Sequence, residues 1–191
     1  MLTHITTEAV IEAFGLSSVT YLPQAEPGHL HRPTANFLST VGLPESKFFG
    51  TRADLEDESA QRLGFGPSLK AYFERVGSEL PPEAETWEHL GDFIYATVAL
   101  DPRDGRIYAF PEGEPDHQPM HSDISSLVHA LIILNRGRKD YLKLETDDDE
   151  QRVRIVERMT EEITAVDPTP FTDEDGEWNT LFDQISLNMW R

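Results

Sequence analysis

The sequence predicts an α+β domain in which a central, twisted antiparallel sheet is flanked by helices from the N-terminal and C-terminal parts of the chain. Three observations predict this class. The length of 191 residues suits one domain. Two strand-like runs in the middle of the chain are joined by a short turn of Asp, Pro and Gly, which favours an antiparallel pair. Apolar residues recur at helical spacing before and after that pair. Segregated helices around an antiparallel core are typical of the α+β class.

The N-terminal part predicts two helices with a short strand between them. Thr6-Thr7 can cap the first helix, and Gly15 stands where its C′ residue belongs. The β-branched and aromatic run Val19–Leu22 predicts the strand. Pro33 suits the first turn of the second helix, which we expect to end at Gly42.

The middle of the chain carries an acidic insert whose structure the sequence leaves open, at about residues 52–87. One helix is predicted inside it, because apolar residues repeat at the spacing i, i+3, i+4, i+7 before Gly77. These residues are Leu69, Tyr72, Phe73 and Val76.

The hairpin between residues 92 and 110 is the strongest local signal. Phe93–Leu100 and Arg106–Phe110 are rich in β-branched and aromatic residues. Between them, Pro102 sets φ for a type I turn and Gly105 can adopt the left-handed conformation that follows. We therefore expect an antiparallel hairpin at the centre of the core, followed by a proline- and acid-rich loop over Pro111–Met120.

The C-terminal part predicts three helices. Ser122-Asp123 can cap the first, and we expect Gly137 to end it. Carboxylates at 147–150 favour the N-terminus of the second, whose apolar stripe is predicted to include Val153. The last carries Trp178 on its apolar side, so that C-terminal helices occupy about 148–190 and residues 1–191 form a single domain.

The charge balance excludes several classes of function. The chain has 35 Asp and Glu residues against 16 Lys and Arg, which gives a net charge of −19 and a pI near 4.6. Both halves are acidic, so the chain lacks the basic face that a nucleic-acid partner requires.

The chain has no cysteine, which excludes disulfides, thiolate metal sites and cysteine nucleophiles. No signal peptide and no run of about 20 apolar residues is present, so we expect a cytoplasmic protein without a membrane partner.

Motifs for catalysis and cofactor binding are incomplete. No P-loop and no GxSxG elbow occurs. His29 and His31 could share one face of a strand, but two ligands do not complete a zinc site. His117 and His121 have i, i+4 spacing, but Pro119 interrupts any helix that would present both. We expect no enzyme activity, no cofactor and no metal, and a metal-dependent hydrolase that uses His29, His31 and scattered carboxylates is the alternative from another class.

Two segments together resemble the SUKH superfamily. The first is Phe37–Pro44 followed by Phe48-Phe49, which contains the Gly42-Leu43-Pro44 motif. The second is the Asp101-Pro102-Arg103-Asp104-Gly105 turn with the helix that follows it. The pattern spans roughly residues 21–135 and is similar in particular to the fourth SUKH group, found as actinobacterial immunity proteins.

The resemblance implies a non-enzymatic immunity protein of a polymorphic toxin system. Such proteins bind and neutralise a cognate toxin, often a nuclease or another nucleic-acid-modifying enzyme. The matching positions look like fold determinants and not contact residues; they are Gly42, Leu43, Pro44, Asp101, Pro102 and Gly105. A regulatory scaffold of the same fold that binds a host protein is the alternative.

An acidic contact surface would suit a toxin with a basic active-site groove. We expect that surface to include six carboxylates, although solubilising loop charges are an equally good interpretation of each one alone. The six are Glu56, Asp57, Glu58, Glu112, Glu114 and Asp116.

Overall fold

The computed structural model describes residues 1–22, 29–51, 68–114, 116–145 and 148–189. The helices in these ranges are α1 Thr7–Phe14, α2 Arg32–Thr40, α3 Leu69–Val76, α4 Ile124–Tyr141, α5 Asp149–Thr164 and α6 Glu177–Ser186. The strands are β1 Val19–Thr20, β2 Leu43–Pro44, β3 Phe49–Thr51, β4 Glu88–Phe93, β5 Ala96–Leu100, β6 Ile107–Pro111 and β7 Gln118–His121. The predicted α+β class is confirmed.

Strands β3 to β7 form one antiparallel sheet in chain order, and β1 pairs with β2 in a second small sheet. Strands β5 and β6 lie next to each other, with Ala96 opposite Pro111 and Leu100 opposite Ile107. The connection between them closes with two backbone hydrogen bonds, from Asp101 N–H to Arg106 O and from Gly105 N–H to Asp101 O, both 2.9 Å.

One face of the sheet packs against the helices of the C-terminal half. Helix α4 buries eleven residues, and Trp178 of α6 lies with its ring centroid 4.8 Å from that of Phe93 on β4.

Two helix caps predicted from the sequence form in the structure. Asp123 accepts a hydrogen bond from Ser126 N–H at the start of α4, and Thr6 accepts one from Ala9 N–H at the start of α1.

The opposite face of the sheet carries a separate, smaller apolar cluster beneath α3. Trp87 stacks on Tyr108 with 4.2 Å between ring centroids, and Phe73 of α3 meets Phe110 edge-on at 5.2 Å. Helix α3 occurs where the sequence predicted it, and Gly77 ends it in the left-handed conformation at φ 73°. Of the expected insert at 52–87, residues 52–67 lie outside the described residues.

Three strand predictions need correction. The expected strand Phe93–Leu100 is interrupted, because Phe93 pairs with Ala96 across a two-residue turn. The expected loop Pro111–Met120 overlaps β7, which tolerates Pro119 because it lies at the edge of the sheet. The strand expected over Val19–Leu22 is confined to Val19–Thr20.

Gly137 does not end its helix, since α4 continues to Tyr141. A Cβ at position 137 would collide with the side chain of Met159 on α5. The glycine therefore allows two helices to approach closely, which outweighs its poor helix propensity.

The stripe predicted on α5 is shifted at its N-terminal end. Met159 and Ile163 are buried, but Val153 is 41% exposed. Arg152 is buried in its place, and its guanidinium lies 2.5 Å from Asp149. A long side chain can bury its stem and reach a carboxylate with its charged end, and periodicity of apolar residues does not detect this.

Candidate functional site

A groove of about 980 Å³ opens on the face of the sheet that carries α3. Its lining comes from α3, from the segment 78–82 that follows it, from the β4–β5 turn and from the residues after β6. We call it the acidic groove.

Four of the side chains in this lining are carboxylates. They are Glu79, Asp92, Glu112 and Glu114, and the described lining contains no lysine, arginine or histidine. Asp92 Oδ1 lies 3.6 Å from Nε2 of the buried His89, and the other three form no ion pair with any described residue. A concave surface of one charge sign concentrates its electrostatic potential and attracts ligands of the opposite sign.

The β4–β5 turn at the border of the groove is strained. Ile94 has φ 53°, a conformation in which a β-branched residue costs roughly 1–3 kcal/mol. Two backbone hydrogen bonds hold it: Ile94 N–H donates to Phe48 O at 3.2 Å, and Glu112 N–H donates to Tyr95 O at 2.8 Å. The turn thereby fixes the backbone of Tyr95, whose side chain lies in the groove lining with the residue 53% exposed.

The floor of the acidic groove is backed by stacked rings. Phe73 and Phe110 belong both to the lining and to the apolar cluster beneath α3. His117 stacks on Trp87 at 4.9 Å behind them. This aromatic layer gives the groove a rigid, partly apolar floor below its carboxylates.

The structure brings together two of the six carboxylates predicted as contact residues. Glu112 and Glu114 line the groove and are exposed, and Asp116 is exposed on the same connection without lining it. Glu56, Asp57 and Glu58 lie outside the described residues. Whether any of them contacts a partner remains a prediction.

Sequence reasoning missed Glu79, Asp92 and Tyr95 in this lining. Glu79 follows α3 and Asp92 lies on β4, so only the tertiary fold brings them to the same groove. From the sequence, Tyr95 is predicted to lie in a strand because several of its neighbours are β-branched or aromatic. A continuous strand would place Asp92 and Thr97, five residues apart, on opposite faces, and only the β4–β5 turn brings them opposite each other as a cross-strand pair.

The Gly42-Leu43-Pro44 motif has a structural place. Gly42 has φ 80°, and a Cβ there would lie 2.8 Å from Thr20 O. Leu43 is fully buried, and Pro44 pairs with Val19 in the small sheet. The motif therefore turns the chain tightly from α2 into β2 against β1.

The Asp101–Gly105 turn also organises its surroundings. Asp101 is buried and accepts hydrogen bonds from Arg103 N–H at 2.9 Å and Nη2 at 2.6 Å, and these bonds from Arg103 lower the pKa of Asp101. His31 N–H donates to Pro102 O at 2.6 Å. Gly105 has φ 83° and approaches Thr34 of α2 so closely that a Cβ would lie 2.5 Å from its Oγ1. The turn thus holds the N-terminus of α2.

A buried Ser126, His121 and Asp167 cluster superficially resembles a hydrolytic triad. In a triad the aspartate and the serine use different ring nitrogens of the histidine. Here Ser126 Oγ at 3.2 Å and Asp167 Oδ2 at 3.6 Å both face His121 Nδ1, and all three residues are about 1% exposed. Substrate has no access, and the cluster instead ties the N-terminus of α4 to the residues after α5.

Electrostatics agree with a structural role for this cluster. Burial lowers the pKa of His121, which favours the neutral ring. Burial alone would raise the pKa of Asp167, but the neighbouring His121 ring and hydrogen bonds from Ser122 N–H and Ser126 hold it below its ordinary range.

The two histidines considered as metal ligands from the sequence, His29 and His31, have local partners. His29 Nε2 lies 2.5 Å from Glu88 Oε1, and His31 Nδ1 lies 3.1 Å from Thr34 Oγ1. Within the described ranges no group of three or more His, Asp or Glu side chains is arranged to hold a metal ion.

The fold and the groove together define an α+β protein whose concave surface is acidic and partly apolar, a surface suited to a cationic partner. The family model of the SUKH-4 immunity proteins matches residues 5–184, and the chain belongs to this family. The resemblance drawn from the two motifs is thereby confirmed. Comparison with curated proteins and with solved structures gave no match. None of the helices in the described part of the chain is both long and apolar enough to cross a bilayer.

Proposed function

We propose that this chain is an immunity protein that binds a cognate bacterial toxin domain and neutralises it by covering the toxin's active site. The observation that carries the proposal is the match to the immunity family over residues 5–184. The protein acts stoichiometrically and without turnover, as a single domain in the cytoplasm of the cell that it protects.

The toxin in this proposal is a nuclease or another nucleic-acid-modifying enzyme. Such enzymes need a basic groove to hold phosphates, and a partner that occupies the groove must present negative charge. The net charge of −19 and the four carboxylates of the acidic groove support this choice. Complementary charge accelerates the encounter of the two proteins. Glu112, Glu114 and Asp116, with Glu56, Asp57 and Glu58, remain the proposed contact residues.

Affinity capture tests the proposal. The protein is immobilised and exposed to lysate of its host, bound chains are eluted with increasing salt, and the eluates are identified by mass spectrometry. We expect one basic toxin-like chain at a ratio near 1:1. The captured toxin is then assayed on its substrate with increasing amounts of the immunity protein, and inhibition should be complete at equimolar ratio.

Two results would contradict the proposal. Capture of several host proteins without a toxin would favour a regulatory scaffold. A captured toxin that keeps its activity at a molar excess of this protein would show binding without neutralisation.

A further inference from the structure

We propose that the acidic groove is the surface that receives the toxin, and that it takes a cationic segment with Tyr95 as its apolar anchor. This inference rests on the proposed function and names the surface and the chemistry of the partner. It adds Glu79, Asp92 and Tyr95 to the proposed contact residues Glu112 and Glu114 and assigns all five to one concave site.

The charge of the groove carries the first step. The carboxylates come from three separate parts of the chain, represented by Glu79, Asp92 and Glu114, yet they converge on one concavity without a described lysine or arginine in its lining. A concave surface whose charged side chains are all acidic attracts a cationic ligand. A segment that carries arginine or lysine therefore fits, and an acidic or purely apolar one does not.

The β4–β5 turn carries the second step. Ile94 is held at φ 53° although a glycine would adopt this conformation without strain, and the turn presents a half-exposed Tyr95 beside the carboxylates. Exposed tyrosines are frequent hot spots of protein interfaces, because a large ring with only two side-chain torsions is ordered at low entropic cost. Val76 on the α3 side is exposed to the same extent and widens the apolar part.

Other surfaces of the described chain fit a cationic partner less well. A smaller pocket of about 200 Å³ is lined by three cationic side chains, Lys47, Arg138 and Lys139, and one carboxylate, Glu45, so its excess positive charge would repel a cationic partner. Leu16 and Leu187 are highly exposed, but neither lies in the lining of either pocket. Only the acidic groove combines concavity, negative charge and an exposed aromatic ring among the described residues.

Direct binding of a defined probe tests the surface without the toxin. The probe is a fluorescein-labelled nonapeptide of alternating arginine and alanine, with a glutamate–alanine peptide as the charge-reversed control, and binding is followed by fluorescence anisotropy. Glu112→Gln with Glu114→Gln should weaken arginine-peptide binding about fivefold or more. Glu157→Gln with Glu161→Gln on the exposed side of α5 changes the net charge equally and should leave affinity within about twofold.

The aromatic anchor has its own matched control. Tyr95→Ala should weaken binding of the toxin about tenfold, mainly through faster dissociation. Tyr21→Ala removes another exposed tyrosine, which is 37% exposed and lies outside the groove lining, and it should leave the affinity for the toxin unchanged. Tyr95→Phe keeps the ring and should retain affinity, and circular dichroism of each variant verifies folding.

The outcomes separate this inference from the proposed function. If the toxin is captured and neutralised equally well by the Tyr95 and Glu112–Glu114 variants, the function stands and the groove is refuted. If the peptide binds in the groove but no toxin is captured, the surface stands and the function fails. An arginine peptide that does not bind, or that is weakened equally by both glutamine pairs, overturns the groove, because attraction would then depend only on net charge.

Discussion

Substitution of Asp167 by asparagine should be the most destabilising change of a single charge in this fold. The carboxylate is buried and accepts four hydrogen bonds. Oδ1 accepts from Ser122 Oγ at 2.9 Å and from Thr169 N–H at 3.1 Å, and Oδ2 accepts from Ser122 N–H and Ser126 Oγ, both at 2.7 Å. These bonds connect the residues after α5 with the start of α4.

The magnitude follows from the donors. Asparagine has one carbonyl oxygen, so in either orientation its NH₂ group faces one backbone N–H, of Ser122 or of Thr169. A buried donor without an acceptor costs about 1–3 kcal/mol, and hydrogen bonds to a charged acceptor are worth about 1.5–3 kcal/mol each. The free energy of unfolding should therefore fall by about 3 kcal/mol.

Urea denaturation at pH 7 measures this loss. With a slope of about 2–3 kcal/mol/M, the midpoint of Asp167→Asn should fall by about 1–1.5 M. Asp183→Asn on the exposed side of α6 is the control and should stay within about 0.5 kcal/mol of the parent.

The pH dependence of the same comparison gives an independent check. The folded pKa of Asp167 is lowered, so its stabilisation is present above the unfolded value near 3.9 and is lost as pH falls toward the folded value. The difference between parent and variant should therefore shrink below about pH 4. A loss under about 1 kcal/mol at pH 7, or a difference that grows in acid, would refute the reasoning.

Three further changes test individual packing and charge features. Gly42→Ala should lower the free energy of unfolding by about 2 kcal/mol, because φ is 80° and the new methyl would lie 2.8 Å from Thr20 O; thermal denaturation measures it, and a neutral result would contradict the tight turn. Gly137→Ala should lower the free energy of unfolding by about 1–3 kcal/mol, because the new methyl group would collide with Met159. In urea denaturation, the double variant Gly137→Ala with Met159→Ala should lose less stability than the sum of the two single variants. Burial lowers the pKa of His121, so below about pH 6.5 the unfolded state binds more protons than the folded state, and the free energy of unfolding should fall from pH 7 to pH 5.5. His121→Gln should reduce the slope of the free energy of unfolding against pH, and an unchanged slope would assign the effect to other groups.

Local chemistry explains which parts of the fold were predictable. The α4 cap at Asp123 and the end of α3 at Gly77 depend on residues adjacent in sequence, and both were predicted correctly. Strand β7 was missed because Pro119 and polar neighbours do not look like a strand, and pairing with β6 at the sheet edge decides its structure. The break at Ile94-Tyr95 was missed because neither residue favours a turn, and the register of β4 and β5 imposes it.

The candidate site was predictable only in part for the same reason. Glu112 and Glu114 are close in sequence and follow a recognisable strand, so an acidic loop reveals them. Glu79 and Asp92 are separated by twelve or more positions from each other and from that loop, and the sheet with α3 brings them to one lining. Sequence reasoning found the charge of the surface but not its concave shape.

The carboxylates of this protein divide into two groups by their surroundings. Asp101, Asp123 and Asp167 are buried, accept several hydrogen bonds and have lowered pKa values, so their charge contributes to the fold. Glu112 and Glu114 are exposed and have no described ion pair, so their mutual repulsion opposes compaction and their removal should not destabilise the fold. The proposed cationic partner would neutralise this repulsion on binding. Under the proposed function, the two glutamine substitutions in the groove should leave stability unchanged or raise it while they weaken the toxin complex, a combination that a purely solubilising surface would not show.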